Sequence, residues 1–247
     1  MSDILAGFVL AAGAGTRLRP LSRLRPKALC PVGNVALVDL ALDRLRQVSG
    51  DLAVNVHHGR EQMEAHLGGT VYLSIEPEQA LGTAGGLAHA RSWLDGRGAV
   101  VVNADAWSEV DLAQIVQGWD GERILVCTVD GVLEPHSRIV ASVMPWPEIS
   151  GLRAEPSGLY EVSWRPALEA GRLEVVAYDG PFVDCGTPSD YLAANLEASG
   201  GSSVVGEGAE VEGSIQRCVV WPGGRVGPSE SLVDAIRVGE RITVLVR

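Results

Sequence analysis

Lysine is almost absent from this sequence. Lys27 is the single lysine in 247 residues, and the other nineteen basic side chains are arginine. Positive charge is scarce altogether: twenty Lys and Arg face thirty-one Asp and Glu, for a net charge of −11. So acidic a chain has no general attraction for nucleic acid or anionic membrane, and neither is expected as a partner. Aromatic residues are few, only 5% of the chain, so the core must be aliphatic. The four cysteines, Cys30, Cys127, Cys185 and Cys218, lie far apart and form no CxxC pair. That spacing excludes a zinc-ribbon site and a disulfide framework, and fits a reducing, cytoplasmic setting. No apolar run reaches the length of a membrane span. Ile4 to Ala14 imitates the apolar stretch of a signal peptide, but Asp3 precedes it rather than a basic segment. A buried first strand is expected there instead.

What is present alternates. Apolar runs at 7–12, 52–58, 71–76, 98–105 and 123–130 read as strands. Segments with helical spacing at 36–48, 60–67, 83–94 and 111–119 lie between them. The strands are solidly apolar rather than alternating, so both faces of their sheet should be covered. The predicted fold is α/β: a three-layer, Rossmann-like core around a mostly parallel sheet. From 131 to 180 the rhythm breaks around Pro135, Pro145, Pro147 and Pro156, and a smaller substrate-facing part is expected. There 158–162 reads as a strand and 163–171 as a helix, with another helix at 189–198. From 200 onward an aliphatic residue recurs about every sixth position, at Val205, Val211, Val219 or Val220, Val226, Leu232 and Val238. This hexapeptide spacing predicts a short β-solenoid of the left-handed β-helix type, with Val205, Val211 and Val226 pointing inward. A set of irregular hairpins is the alternative. The expected division is therefore a catalytic domain over 1–199 and a solenoid tail over 200–247 that caps the chain or joins copies of it.

The positive charge that exists is concentrated. Arg17, Arg19, Arg23, Arg25 and Lys27 fall within eleven residues, just after Gly13-Ala14-Gly15 at the end of the first strand. A GxG at that place suggests a dinucleotide fold, but Leu18 occupies the third glycine position and no GK[ST] follows. The dinucleotide fingerprint and the P-loop both fail, and a Rossmann oxidoreductase is disfavoured. Glycines, exposed backbone N–H groups and five cations at the end of a parallel strand still describe a polyphosphate site. A solvated arginine loop with turn glycines is the structural alternative. His57 and His58 have no partner at metal-ligand spacing, and a structural role is expected for both.

The stretch LAAGAGTRLRPLSRLRPKALCPVGN resembles the signature of the sugar-1-phosphate nucleotidyltransferases, in which AAGxGTRLxPLT precedes PKxLxPV. EPEQALGTAGGLAHA (76–90), VVNADAW (101–107) and FVDCGTPSDYL (182–192) are similar to further segments of that family, in its order. The resemblance implies transfer of a nucleotidyl group from an NTP to a sugar-1-phosphate, with Mg²⁺ as cofactor. GTP with mannose-1-phosphate is the first choice, UTP or dTTP with another hexose-1-phosphate the second. A binding-only regulatory subunit is an alternative of a different kind. The resemblance implies a nucleotide site at Leu10, Ala11, Ala12, Gly13, Gly15, Thr16, Arg17, Glu78, Gly82 and Thr83. Glu78 would accept from a guanine edge. It implies sugar contacts at Trp107, Gly158 and Asp184, and a metal held by Asp105 and Asp184. Arg17, Lys27 and Asp105 would carry the chemistry. For Asp105 a turn or cap role, and for Asp184 an ion pair with arginine, are the plain alternatives. One departure is clear. The family's E-K-P segment supplies a second lysine to the sugar phosphate, and here only Glu155-Pro156 remains, with Arg153 or Arg138 as replacement cation.

Overall fold

A computed structural model describes residues 5–246, so Ile4, at the head of the stretch that imitates a signal peptide, lies outside the described residues. The solid apolar runs become the strands of one seven-stranded sheet. Its order is Leu173–Ala177, Ile124–Thr128, Ile139–Met144, Gly98–Asn103, Leu5–Leu10, Leu52–Val56, Tyr72–Ile75. Ile139–Met144 runs antiparallel to both neighbours, and the other pairings are parallel. Parallel neighbours require crossovers, which the helices Leu37–Leu45, Arg60–Leu67 and Gly82–His89 provide. Successive residues of a strand face opposite ways. Ala6 and Phe8 enter a core shared with Leu87, Leu94, Ile149 and Trp164. Between them Gly7 faces the other layer, where a side chain would meet Leu52 at 2.5 Å and Leu45 at 3.1 Å. Helices thus cover both faces of the sheet, as expected.

The chain folds as two compact units. The first contains the sheet and its helices, with residues up to 14, then 38–104 and 108–182. The second gathers 15–37, 105–107 and 183 onward. The arginine-rich loop and the tail therefore share a unit, and the boundary read at 199/200 falls inside it.

In the second unit, helix Pro188–Ala198 starts on a capping box in which Thr187 and Asp190 satisfy each other's backbone N–H, with proline at the first helical position. Its Tyr191 hydroxyl donates to the Pro31 carbonyl, and Asn195 Oδ1 accepts from Gly33 N at 3.1 Å. The helix so fixes the chain just beyond the arginine loop. The tail forms parallel strand pairs fifteen to seventeen residues apart: Val204–Val205 with Val219–Val220, Glu210–Val211 with Arg225–Val226, and Ser214–Gln216 with Ser231–Val233. Ile242–Leu245 folds back antiparallel on Ala235–Val238. Trp221, from the tail, donates its indole N–H to Tyr191 Oη at 3.0 Å, and the Arg25 guanidinium lies 5.1 Å over its ring. The tail therefore braces the arginine loop directly.

Two expectations need correction. Residues 158–162 are not a strand: Tyr160–Trp164 is a wide helical turn that continues into helix Arg165–Glu169. The buried positions are Leu159, Ser163, Trp164 and Ala167, a helical spacing, while Val162 is exposed. In the tail Val204 rather than Val205 is buried. Neighbours in a two-residue strand face opposite sides, so a register slip of one reverses them.

The glycines of LGTAGG serve packing. A side chain at Gly85 would lie 2.2 Å from the Glu155 carbonyl oxygen, and one at Gly82, where φ is +71°, 2.5 Å from that of Ser157. At Gly13 a side chain would meet nothing within 4 Å. Gly85→Ala is therefore expected to cost about 1–3 kcal/mol of stability through overpacking, whereas Gly13→Ala leaves stability unchanged. Urea denaturation of the two variants checks this, and equal midpoints would contradict the packing account.

Candidate functional site

Lys27 occupies a short helical turn, Lys27–Leu29, held between Pro26 and Cys30. Its side chain is only 9% exposed. The ammonium donates to Asp105 Oδ2 at 2.9 Å and to Asp184 Oδ1 at 3.4 Å. Gly15 makes room for it. At φ +58° its Cα faces the Lys27 stem, and a side chain there would lie 2.9 Å from Lys27 Cβ. Asp105 immediately precedes strand Ala106–Ser108 and Asp184 ends strand Phe182–Asp184, the two strands pair, and Cys185 N donates to the Asp105 carbonyl at 2.9 Å. Arg17 lies 3.7 Å from Asp184 Oδ2, with both side chains well exposed, so this contact is loose and weak. Gly186 leaves the space for its guanidinium, which a side chain there would crowd at 3.1 Å. The second unit thus brings together Arg17, Lys27, Asp105 and Asp184. Trp107, beside Asp105, is buried.

The donor set suits a hard divalent cation. The oxygens not engaged by Lys27 are Oδ1 of Asp105 and Oδ2 of Asp184, both carboxylate oxygens. Mg²⁺ takes one or two such ligands and completes its shell with phosphates and water. No group of three or more His, Cys, Asp or Glu among the described residues forms an all-protein metal cage. The neighbouring thiols carry no charge near neutral pH. Burial pushes both Cys30 and Cys185 from 9.0 up to about 12, against the opposing pull of Lys27 and, for Cys30, of Arg25.

In the first unit Leu10, Thr83 and Gly158 line a cleft of about 220 Å³ together with Asn103, Glu161 and Trp164. Thr83 Oγ1 accepts from Leu159 N at 2.8 Å and fixes one wall. Glu161 is the only charged side chain in that lining. Arg138 and Arg153 are exposed and line no part of it. Glu78 is exposed, whereas Glu76, unnoticed in the sequence, is buried. It accepts from Leu81 N and from Asn55 Nδ2, both at 2.7 Å. Asn55 Oδ1 in turn accepts from Ala11 N at 2.7 Å. The signal for Asn55 was a lone polar residue inside the apolar run LAVNV. His57 and His58 each meet a backbone carbonyl, of Glu76 and Ala12, as their structural reading implied.

Residues 6–136 match the sequence profile of the family described as Nucleotidyl transferase, more than half of the chain. The chain belongs to that family. An N-acetylmuramate alpha-1-phosphate uridylyltransferase of Caulobacter vibrioides is 42% identical over 133 residues, which are 49% of this chain and 55% of that protein. A protein of Oryza sativa subsp. japonica named probable mannose-1-phosphate guanylyltransferase 3 is 29% identical over an alignment covering 98% of this chain and 81% of its own. The chain spans about half the length of the uridylyltransferase relatives it matches. Among solved structures, HddC from Yersinia pseudotuberculosis in complex with GMP-PN shares the fold, with TM-score 0.63 at 18% identity over 78% of this chain and 98% of that one. No helix among the described residues is long and apolar enough to cross a membrane.

The thiols beside Lys27 give this family member a pH signature. A thiol held above its unfolded value stabilises the fold fully below pH 9, and that contribution is lost between 9 and about 12. Unfolding free energy should fall on that side of pH 9 by up to about 1.4 kcal/mol per pH unit for each thiol. Urea melts at pH 8, 9.5 and 10.5 should show this slope, and the Cys30→Ala/Cys185→Ala variant should keep only the part due to Cys127 and Tyr191, which burial also raises. Equal slopes in the two proteins would contradict the assignment.

Proposed function

We propose that this chain transfers a nucleotidyl group from an NTP to a sugar-1-phosphate, giving an NDP-sugar and pyrophosphate. The observation that carries this reading is the seating of the lone lysine between Asp105 and Asp184, with Arg17 alongside. In the reaction a sugar-phosphate oxygen forms a bond to the α-phosphorus, and the bond from that phosphorus to the bridging oxygen breaks. Pyrophosphate leaves with the electron pair. The step asks for alignment and charge stabilisation rather than proton transfer. Lys27 has three N–H donors. Two go to the carboxylates, and the third is directed to a substrate phosphate oxygen. Arg17, exposed and only loosely paired, grips the outer phosphates through its planar fork. Gly13, with open space around it, lets a phosphate approach the backbone. Asp105 and Asp184 would hold Mg²⁺, which when bound neutralises charge developing on the phosphate oxygens. In the first unit the cleft lined by Leu10, Thr83 and Gly158 takes the sugar, with Glu161 accepting from its hydroxyls.

The pair GTP and mannose-1-phosphate is the first to test, because the relative aligned over nearly the whole chain carries that name. UTP is the second reading, favoured by the higher identity of the relative named as a uridylyltransferase. Pyrophosphate release across a panel of NTP and sugar-1-phosphate pairs decides between them. A binding-only subunit would release none with any pair, and the retention of Arg17, Lys27, Asp105 and Asp184 argues against it. For the tail we propose a short left-handed β-helix that joins copies of the chain. The recurrence of parallel pairs at fifteen to seventeen residues supports it.

Two outcomes follow from the lysine site. Lys27→Arg is expected to lower turnover about a hundredfold, roughly 2.7 kcal/mol, with a much smaller change in NTP affinity. Steady-state kinetics at saturating sugar phosphate reads this, and near-normal turnover would show that any cation suffices. Excess EDTA should abolish pyrophosphate release, and Asp105→Asn should reduce it by orders of magnitude at unchanged secondary structure by circular dichroism. Full activity in either case would refute the metal role.

A further inference from the structure

Asn55 and Glu76 are two buried polar residues that the chemistry above leaves unused, each 1% exposed. They form one line of hydrogen bonds in the first unit. Ala11 N–H donates to Asn55 Oδ1, Asn55 Nδ2 donates to Glu76 Oε1, and Leu81 N–H donates to Glu76 Oε2, each at 2.7 Å. The line begins in the segment that leaves the first strand toward the glycine loop. It ends at the residue before Gly82 and Thr83. It is packed tightly enough that a side chain at Gly86 would lie 2.4 Å from Asn55 Nδ2 and 2.8 Å from Glu76 Oε1. No cation pairs with the Glu76 carboxylate among the described residues.

The chemistry of the two ends decides which side chains the line accepts. Both ends are backbone N–H groups, so both are donors. An amide passes hydrogen bonding along in one sense, accepting on one side and donating on the other. A carboxylate accepts on both sides. A line with a donor at each end therefore closes with one amide and one carboxylate. Two amides cannot close it whichever way they are flipped, because two N–H groups always meet somewhere. Two carboxylates can close it only by binding a proton and sharing it, a cost that the amide–carboxylate pair does not carry. The uncompensated charge of Glu76 is what the donor at each end requires.

We propose that Glu76 and Asn55 are positioning residues that fix Ala11 and Leu81 in register with each other. They thereby set the relation between the backbone that approaches the phosphates and the segment that reads the base. This rests on the nucleotidyl-transfer reading, in which those two segments share one NTP. Neither side chain touches substrate. Their effect is on nucleotide recognition: KM for the NTP and discrimination between bases, rather than on the chemical step.

The parity of the line supplies its own control. Glu76→Gln alone leaves two amides, and Asn55→Asp alone leaves two carboxylates. The double variant Asn55→Asp/Glu76→Gln restores one of each with their order reversed. The carboxylate introduced at position 55 would then accept from Ala11 N and from the amide introduced at position 76, whose oxygen accepts from Leu81 N. Two measurements are made on the wild type, both single variants and the double variant. Thermal unfolding at pH 8 should fall by about 5 °C or more in each single variant, since Glu76→Gln leaves buried N–H groups unsatisfied and Asn55→Asp must bind a proton to close the line, and should recover in the double variant. KM for the preferred NTP should rise about tenfold or more in each single variant with turnover changed less than threefold, and should return toward wild type in the double variant. A Glu76→Gln protein as stable and as selective as wild type would overturn the proposal. So would a double variant no better than the worse single variant. Restored stability without restored KM would remove the positioning role. If the wild type transfers no nucleotide at all, the proposed function fails, while the unfolding series still decides whether the line obeys its parity.

Discussion

A buried ammonium held by two carboxylates organises the second unit. Its three stretches of chain meet at one place: 15–37 brings Lys27, 105–107 brings Asp105, and the segment from 183 onward brings Asp184. Moving an ammonium out of water costs several kcal/mol, and a single carboxylate seldom offsets that. Two do so here, and they are in turn held close by the pairing of their strands and by the bond from Cys185 N to the Asp105 carbonyl. Without the lysine, those strands would bring two like charges together. Each member of the cluster thus depends on the others, which is why it persists as a preorganised arrangement. The flanking thiols are kept neutral by burial, so they do not dilute this charge balance.

The first unit solves a similar problem without a cation. Glu76 is as buried as Lys27, yet its partners are N–H groups: one amide side chain and one backbone donor. Hydrogen bonds to an ionised group are stronger than those between neutral ones, so two of them can replace an ion pair. The two units also use glycine for different ends. Gly85 and Gly86 admit backbone and side chains of the protein's own fold, Gly15 admits the stem of Lys27, and Gly13 admits nothing that is part of this chain. Of these four, Gly13 is the one whose lack of a side chain the fold itself does not explain.

Much of this is legible in the sequence, for identifiable reasons. Solid apolar runs announce a covered parallel sheet, because a strand buried on both faces has no use for alternation. The cation cluster and the acids after two strands announce the residues that meet around Lys27. The segment 158–162 reads as a strand because its aliphatic and aromatic residues suit either period, and only the burial of Leu159, Ser163 and Ala167 shows the helical one. Val204 and Val205 cannot be told apart in the sequence, since adjacent valines carry no register. Asn55 and Glu76 do not stand out as a pair because their link crosses from one strand to the end of the next. Nothing in the local sequence signals which donors they must satisfy. The contact from the tail to the arginine loop, Trp221 against Arg25 and Tyr191, is hidden for the same reason: its members lie far apart in the chain.

The rarity of lysine can now be separated from the need for it. Arginine serves at nineteen basic positions, most visibly in exposed pairs such as Arg46 with Asp43 and Arg60 with Glu64, where either cation would do. Position 27 is different in shape. The stem runs beside Gly15, and the head must reach two carboxylates that come from separate segments of the chain. A guanidinium is planar and pairs best by offering two parallel N–H groups to one carboxylate. It would satisfy one acid and release the other. An ammonium is compact, and its three N–H groups diverge, so it can hold both acids and keep one donor for a third partner. A preference for arginine across the chain, whatever its origin, therefore stops at the one site whose geometry a fork cannot fill.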